Sequence, residues 1–305
     1  MTVRGIVGGA IRFVRDHPVM LIVWSAINLV LGVAMRVIMA PIYQARLAAL
    51  TAGTHPQMPS FGSFVPVWIG IMAVMIILYT AVFRAVLFPE ERRFAYLRIG
   101  LDELRLLGLI VVLGAGFALA WMAMLIVGGL AIAAAGTVLG FGRQTMIPVA
   151  LLLFFILWCG LAFIAVRLLP AQPLTLLRRK IIIGEAWRLT RGHFWRLLGA
   201  FLILFLLIAI VSLIPALPQM GPVFSAMSHP GNPDMQLILA EVQARQFSLH
   251  PSPAMVAQIL VGSVIGAAML LLLASAMAIA TRMLLDERTG RSAEVQPAPA
   301  SGPWG

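Results

Sequence analysis

"LLGLIVVLGAGFALAWMAMLIVGGLAIAAAGTVLGFG", residues 106–142, contains no ionisable side chain. A helix needs about 20 apolar residues to cross the hydrocarbon core of a bilayer. In that core the backbone must satisfy its own hydrogen bonds, and a helix does so along its whole length. This stretch therefore predicts a membrane-spanning helix and decides the fold class.

The composition of the whole chain agrees with that prediction. Of its 305 residues, 61% are hydrophobic and 11% are charged, and the mean hydropathy is +1.00. Soluble domains contain about 45–50% apolar and about 25% charged residues. We therefore expect an all-α polytopic membrane helix bundle, with a six-span membrane domain over residues 1–291 and a disordered cytoplasmic tail over 292–305. The predicted spans are roughly 18–40, 64–88, 106–135, 146–169, 197–217 and 254–282.

The basic residues predict the orientation. With the N terminus inside, the inner segments hold most of the 22 Lys and Arg residues. The outer segments hold only Arg36, Arg46, Arg143 and Arg245. Because cytoplasmic loops are enriched in basic residues, we expect an inner-membrane protein with both termini in the cytoplasm. The net charge of +11 then matches the anionic inner leaflet, and no nucleic-acid partner is expected.

Two stretches suggest an internal repeat. Residues 10–17 read "AIRFVRDH" and residues 186–193 read "AWRLTRGH", with Ala, Arg, Arg and His in the same places. A third stretch before span three, "YLRIGLDELRLLGL", has a similar arrangement of basic and apolar residues but does not share the same residues. The even-numbered spans each carry an arginine near the inner end, namely Arg84, Arg167 and Arg282. This pattern predicts three copies of one unit, made of a basic amphipathic helix, a span out and a span back.

The most basic and aromatic stretch is "RRKIIIGEAWRLTRGHFWR", residues 178–196. One continuous helix here would place Ile183, Trp187 and Phe194 on one stripe and arginines on another. Such a helix lies in the membrane interface, and three of them would form a basic collar on the cytoplasmic face. The collar either only anchors the protein or also binds anionic lipid headgroups or an acidic partner. Its candidate residues are Arg12, Arg15, Arg84, Arg167, Trp187, Arg188, Arg191, Trp195, Arg196 and Arg282.

A few small or polar residues fall within the predicted spans. Gly262 and Gly266 stand at GxxxG spacing, which allows close approach of another helix of the same chain, of a second protomer or of another membrane protein. Asn28 is expected to hydrogen-bond a neighbouring helix. Arg36 is expected to extend to the outer interface, with a role in a pore as the alternative. A short helix is also predicted in "NPDMQLILAEVQARQF", with Asn232 as its N-cap.

Catalytic and metal-binding motifs are absent from the sequence. There is no HExxH, GxSxG or Walker pattern. His17 and His193 share the inner face, but two histidines fall short of a closed metal site. We therefore predict no catalytic residue, no metal and no cofactor.

The segment that begins "RLLPAQPLTLLRRK" resembles a group of bacterial multi-span proteins. The shared pattern is an arginine and a proline after an even span, then Ala/Ser-Trp-x-Leu-Thr-x-Gly-x-Phe-Trp. Here the matching residues are Ala186, Trp187, Leu189, Thr190, Gly192, Phe194 and Trp195. The group includes the membrane domain joined to some glycerophosphodiester phosphodiesterases and related six-span proteins without an assigned role. Because the phosphodiesterase activity of that group belongs to a separate soluble domain, the resemblance implies a membrane protein without its own catalytic centre.

The expected function is that of a non-enzymatic multi-pass protein of the bacterial inner membrane. It would engage anionic lipid or an envelope partner through the basic helices. The alternative is a transporter or permease subunit, which predicts a water-lined central cavity.

The predicted orientation has a direct test. Alkaline phosphatase, which is active only in the periplasm, should be inactive when it is fused after Gly305 and active when it is inserted after Ser248. An active fusion at Gly305 would contradict a cytoplasmic C terminus.

Overall fold

A computed structural model describes residues 2–54, 61–90, 100–138, 143–227 and 235–295. These residues form helices and connecting turns and contain no strand, which confirms the all-α fold. The helices are α1 (Val3–Asp16), α2 (Pro18–Thr51), α3 (Phe61–Leu87), α4 (Leu101–Val138), α5 (Arg143–Leu168), α6 (Ala171–Arg178), α7 (Ile183–Leu189), α8 (Phe194–Met227), α9 (Met235–Gln246) and α10 (Pro253–Val295).

The six predicted spans are confirmed within the described residues. Six helical segments are long and apolar enough to cross a membrane: Pro18–Thr51, Phe64–Leu87, Leu101–Ala134, Pro148–Arg178, Phe194–Leu217 and Pro253–Gly290. The chain is therefore a multi-pass membrane protein. α10 continues to Val295, into the segment predicted as a disordered tail, and residues 296–305 lie outside the described residues.

α10 lies at the centre of the bundle and packs against α1, α2, α3, α6 and α8. Its buried face is made of small side chains, which let neighbouring helices approach closely. The larger buried side chains around it include Trp24, Leu78, Phe83 and Leu204. The small residues of α10 with at most 1% exposure are Ala267, Ala274, Ser275, Ala276, Ala278, Ala280 and Thr281.

α4 and α5 form a hairpin at the side of the bundle. Trp121 of α4 makes edge contacts with Phe154 and Trp158 of α5, with ring centroids 6.0 and 5.5 Å apart. Most other apolar side chains of this pair are exposed. In a bilayer such a surface faces the lipid tails, so its exposure carries no penalty.

Both described chain ends lie at the same end of the bundle. α1 runs along the last turns of α10, where an added Cβ on Gly9 would lie 3.2 Å from Ile279. A Cβ added to Gly5 would lie only 2.6 Å from the Met283 methyl group. An even number of spans returns the chain to the side on which it began, in agreement with this arrangement. The cytoplasmic placement of that side stays a prediction.

α1, which covers the first predicted interfacial helix, has one buried and one exposed side. Ile6, Ala10 and Phe13 of α1 are buried, whereas Arg12 and Arg15 are exposed. The third falls partly on residues 91–99, outside the described residues, and from Leu101 onward the chain is α4 itself. The interfacial location of these helices and the three-fold repeat stay predictions.

The continuous helix expected over residues 178–196 is wrong. α7 ends at Leu189, and α8 begins only at Phe194. Gly192 between them has a φ of +87°, a left-handed conformation that a helix cannot contain and that favours glycine. The Thr190 side chain lies 3.1 Å from the Ala186 carbonyl oxygen and covers the end of α7.

This turn predicts the effect of one substitution. Gly192→Ala should lower the free energy of unfolding by about 1–2 kcal/mol, because an L residue is strained in the left-handed region. An added Cβ would meet no atom within 4 Å, so the effect would come from the backbone alone. The measurement is reversible unfolding in mixed micelles. Gly184→Ala within α7 also meets no atom and should be neutral or stabilising; equal effects of both changes would contradict this explanation.

Candidate functional site

A cavity of about 730 Å³ opens where α1, α3 and α10 meet, near the described chain ends. We call it the α1 cavity. Its apolar wall includes Phe13, Val86 and Ile279. Its polar lining consists of Arg12, Asp16, His17 and Arg282. The structure thus brings two of the predicted candidate arginines, from the two ends of the chain, to one site.

The α1 cavity presents unpaired positive charge. Neither Arg12 nor Arg282 forms an ion pair with a described residue. Asp16 instead lies 3.4 Å from the Nε atom of Arg15. The His17 ring stacks on Phe13 at 4.2 Å, and its Nδ1 donates to the Phe13 carbonyl at 2.9 Å. The two guanidinium groups outnumber the one carboxylate, that of Asp16, in the lining of the cavity.

A second basic cluster lies beside the end of α10. Arg178, Arg188 and Arg288 line a cavity of about 580 Å³ together with Glu185. Glu185 forms an ion pair with Arg178, with 3.2 Å between Oε1 and Nη2. One carboxylate therefore neutralises part of this cluster. Sequence reasoning did not select Arg178 or Arg288 as candidates, because their proximity to Arg188 depends on how α6, α7 and α10 pack.

Arg167 lies between two aromatic rings and does not reach the α1 cavity. Its guanidinium carbon is 4.8 Å from the ring centroids of both Phe163 and Trp187, which is cation–π geometry. The Thr190 hydroxyl also lies 3.3 Å from the Arg167 carbonyl oxygen. These contacts fasten α7 to α5. Trp187 and Thr190 belong to the motif that carries the family resemblance, and here they make contacts that stabilise the packing of α7 on α5.

Arg84 is buried, in contrast to the position at the lipid headgroups that the predicted collar implies for it. Only 8% of its side chain is exposed, and its Nη2 lies 2.8 Å from Glu103 Oε1 and 3.5 Å from Asp102 Oδ2. The contact between Arg84 and Glu103 is an ion pair without hydrogen-bond geometry. Arg84, Arg167 and Arg282 therefore have different neighbours and do not converge on one ligand.

The remaining candidates of the collar point outward. Arg15, Arg188, Arg191 and Arg196 are exposed. Trp195 is 79% exposed at the start of α8, next to the ring of Phe194. An exposed tryptophan beside arginines at the end of a span is typical of the membrane interface.

A further cavity lies at the opposite end of the bundle, between α2, α8, α9 and α10. We call it the α9 cavity; its volume is about 450 Å³. Arg36, which was expected to extend freely to the interface, lines this cavity and donates to the backbone carbonyl of Gln246. Gly262 also lines it, whereas a Cβ added to Gly266 would lie 3.9 Å from Asn28 of α2. Gly266 thus approaches α2 of the same chain, and the use of the GxxxG pair by a second protomer or another membrane protein stays a prediction.

Metal ligands do not gather in the part of the chain that the structure describes. No group of three or more His, Cys, Asp or Glu side chains is placed to hold an ion there.

Comparison with known proteins found no match to a family, a curated protein or a solved structure. The resemblance to the phosphodiesterase-associated membrane domain stays a prediction. The function must therefore be argued from the residues of this chain.

The buried ion pair predicts a stability effect. Arg84→Gln should lower the free energy of unfolding by about 3 kcal/mol or more, because it leaves the buried Glu103 carboxylate unpaired. The matched control is Arg105→Gln. Arg105 pairs with Asp102 at 2.9 Å but is 37% exposed, and its loss should cost about 1 kcal/mol or less. Equal unfolding free energies for the two variants in micelles would contradict the structural importance of Arg84.

Proposed function

We propose that this protein is a non-enzymatic inner-membrane protein that binds anionic phospholipid headgroups on its cytoplasmic side, with the α1 cavity as its principal site. The observation that carries the proposal is the pair Arg12 and Arg282. They come from separate helices, line one cavity and have no carboxylate partner among the described residues.

The chemistry of the α1 cavity suits a phosphate ester. A guanidinium group presents a planar fork of N–H donors that matches two phosphate oxygens. Phe13, Val86 and Ile279 provide an apolar wall beside the arginines. A headgroup phosphate with the first carbons of an acyl chain offers the same combination of charge and apolar surface.

The surroundings of the cavity support the same ligand. Arg188, Arg191 and Arg196 are exposed at this end of the bundle, and Trp195 is exposed beside them. Each basic residue close to an anionic leaflet contributes about 1 kcal/mol. These residues would raise the local concentration of anionic lipid around the α1 cavity.

The packing of the bundle favours this function over a transporter. A transporter predicts a water-lined cavity at the centre. Most of the buried described residues there are apolar, and Leu78, Leu109, Leu204 and Leu271 are almost completely buried. The two cavities named above lie at opposite ends of the helices.

Native mass spectrometry of the full chain released from nanodiscs tests the proposal. The nanodiscs would contain phosphatidylcholine with a minor fraction of phosphatidylglycerol. The wild type should retain phosphatidylglycerol at a fixed stoichiometry, and Arg12→Gln with Arg282→Gln should reduce its occupancy about tenfold, because charge-assisted contacts are lost.

The matched control removes the same charge from the same end of the bundle. Arg4→Gln with Lys180→Gln changes two exposed basic residues that do not line the α1 cavity, and it should retain the lipid. An equal loss in both double variants would show that lipid binds to the basic surface as a whole and not to the α1 cavity. No loss in either variant would refute the proposal.

A further inference from the structure

We infer that the α9 cavity, together with an apolar cavity next to it, binds an anionic amphiphile, that is, an alkyl chain with a carboxylate or phosphate headgroup. This site lies at the opposite end of the bundle from the α1 cavity. His17 and Arg36 are about 28 Å apart along α2. The inference is therefore independent of the proposed function.

The polar side of the site centres on Arg36. A guanidinium group remains charged and has five N–H donors, and Arg36 directs one of its terminal nitrogens to the Gln246 carbonyl. None of the described residues that line the α9 cavity is acidic. A cation at membrane depth normally has a partner of opposite charge. Because the described residues that line the cavity supply no carboxylate, a ligand with an anionic group completes the site.

Four other polar side chains of the α9 cavity donate hydrogen bonds to backbone carbonyls of the protein. Asn28, Ser212 and Ser263 each donate to a backbone carbonyl of their own helix, at 3.1, 2.7 and 2.8 Å. Gln258 donates to the Pro215 carbonyl and links α10 to α8. Arg36 is the charged donor among the described residues that line the α9 cavity, and a charged donor forms a stronger hydrogen bond to an anion than a neutral amide or hydroxyl does.

The apolar side of the site adjoins this cavity directly. A second cavity of about 410 Å³ lies between α2 and α3, lined by Met39, Phe64, Val67, Trp68 and Ile71. Met35 and Phe247 line both cavities. Phe247 stacks on Tyr43 at 4.8 Å, and Met35 is a flexible side chain that can adapt to a ligand. An alkyl chain in the second cavity would therefore begin beside the headgroup at Arg36.

The position of the site separates this ligand from ordinary bilayer lipid. Arg36 lies about 27 Å from Pro18 along α2, close to the thickness of the hydrocarbon core, about 30 Å. From Met35 the apolar cavity extends along α2 to Arg46, and its wall on α3 is made of the first turns of the span Phe64–Leu87. A chain in this cavity would therefore lie between α2 and α3, whereas the chains of a bilayer lipid lie against the outer surface of the bundle.

Photolabelling tests this inference. The probe is palmitate with a diazirine on its chain, added to the full-length protein in phosphatidylcholine nanodiscs, and labelled peptides are mapped by mass spectrometry. Label should appear at the walls of the apolar cavity, on Met35, Trp68 or Phe247. Unlabelled palmitate or palmitoyl lysophosphatidic acid should compete, and the stronger competitor identifies a carboxylate or a phosphate as the natural headgroup. Acetate and hexadecanol should compete poorly, because each lacks one half of the ligand.

Two variants test the residues. Arg36→Gln should reduce labelling about tenfold through loss of the charged contact, with Arg245→Gln as the control for charge removal at the same end. Because Arg36 also holds α9, a second variant leaves it intact: Gly262→Leu fills the α9 cavity, where an added Cβ meets no atom within 4 Å. Its control is Gly70→Leu, which is equally unobstructed and lines neither cavity.

Four results would overturn the inference. These are unchanged labelling in Arg36→Gln, unchanged labelling in Gly262→Leu, competition by hexadecanol equal to that by palmitate, and label spread evenly over the exposed surface of α4 and α5.

Discussion

Close packing against the small side chains of α10 is the constraint on which the rest of the bundle depends. In a bilayer, lipid tails are as apolar as leucine, so helices associate through contact and not through escape from water. Ala274, Ala278 and their neighbours bring α1, α2, α3 and α8 against one central helix. Gly9 of α1 approaches Ile279 within the same contact. Larger side chains on α10 would separate these helices and open both ends of the bundle.

The two ends of the bundle differ because different short helices complete them. At one end α1 packs on the last turns of α10 and brings Arg12 to Arg282. At the other end α9 packs on α2 and α8, and the Gln246 carbonyl accepts a hydrogen bond from Arg36. In both places a guanidinium group meets apolar walls without a carboxylate bound to it. The two proposed sites for anionic groups thus lie at opposite ends of the bundle.

Not every arginine near a span end has the same role. Arg84 and Arg167 occupy similar places in the sequence, yet one pairs with Glu103 and the other lies on aromatic rings. These contacts connect α3 to α4 and α5 to α7, and they stabilise the fold. Only arginines without such partners remain available for a ligand. Asp102 and Glu103 follow Arg84 closely enough in the chain to suggest a pairing, but their burial depends on the packing of α4.

The sequence by itself determined the class of the protein, the six spans and the gathering of cations near one set of span ends. Those features follow from the transfer of each segment into hydrocarbon, which is a sum over neighbouring residues and needs no distant partner. The tertiary structure alone decided which cations are paired and where the cavities lie, because those properties depend on residues such as Arg12 and Arg282 that meet only after the helices pack. It also decided the break at Gly192, since a repeating apolar pattern does not reveal a single residue with positive φ.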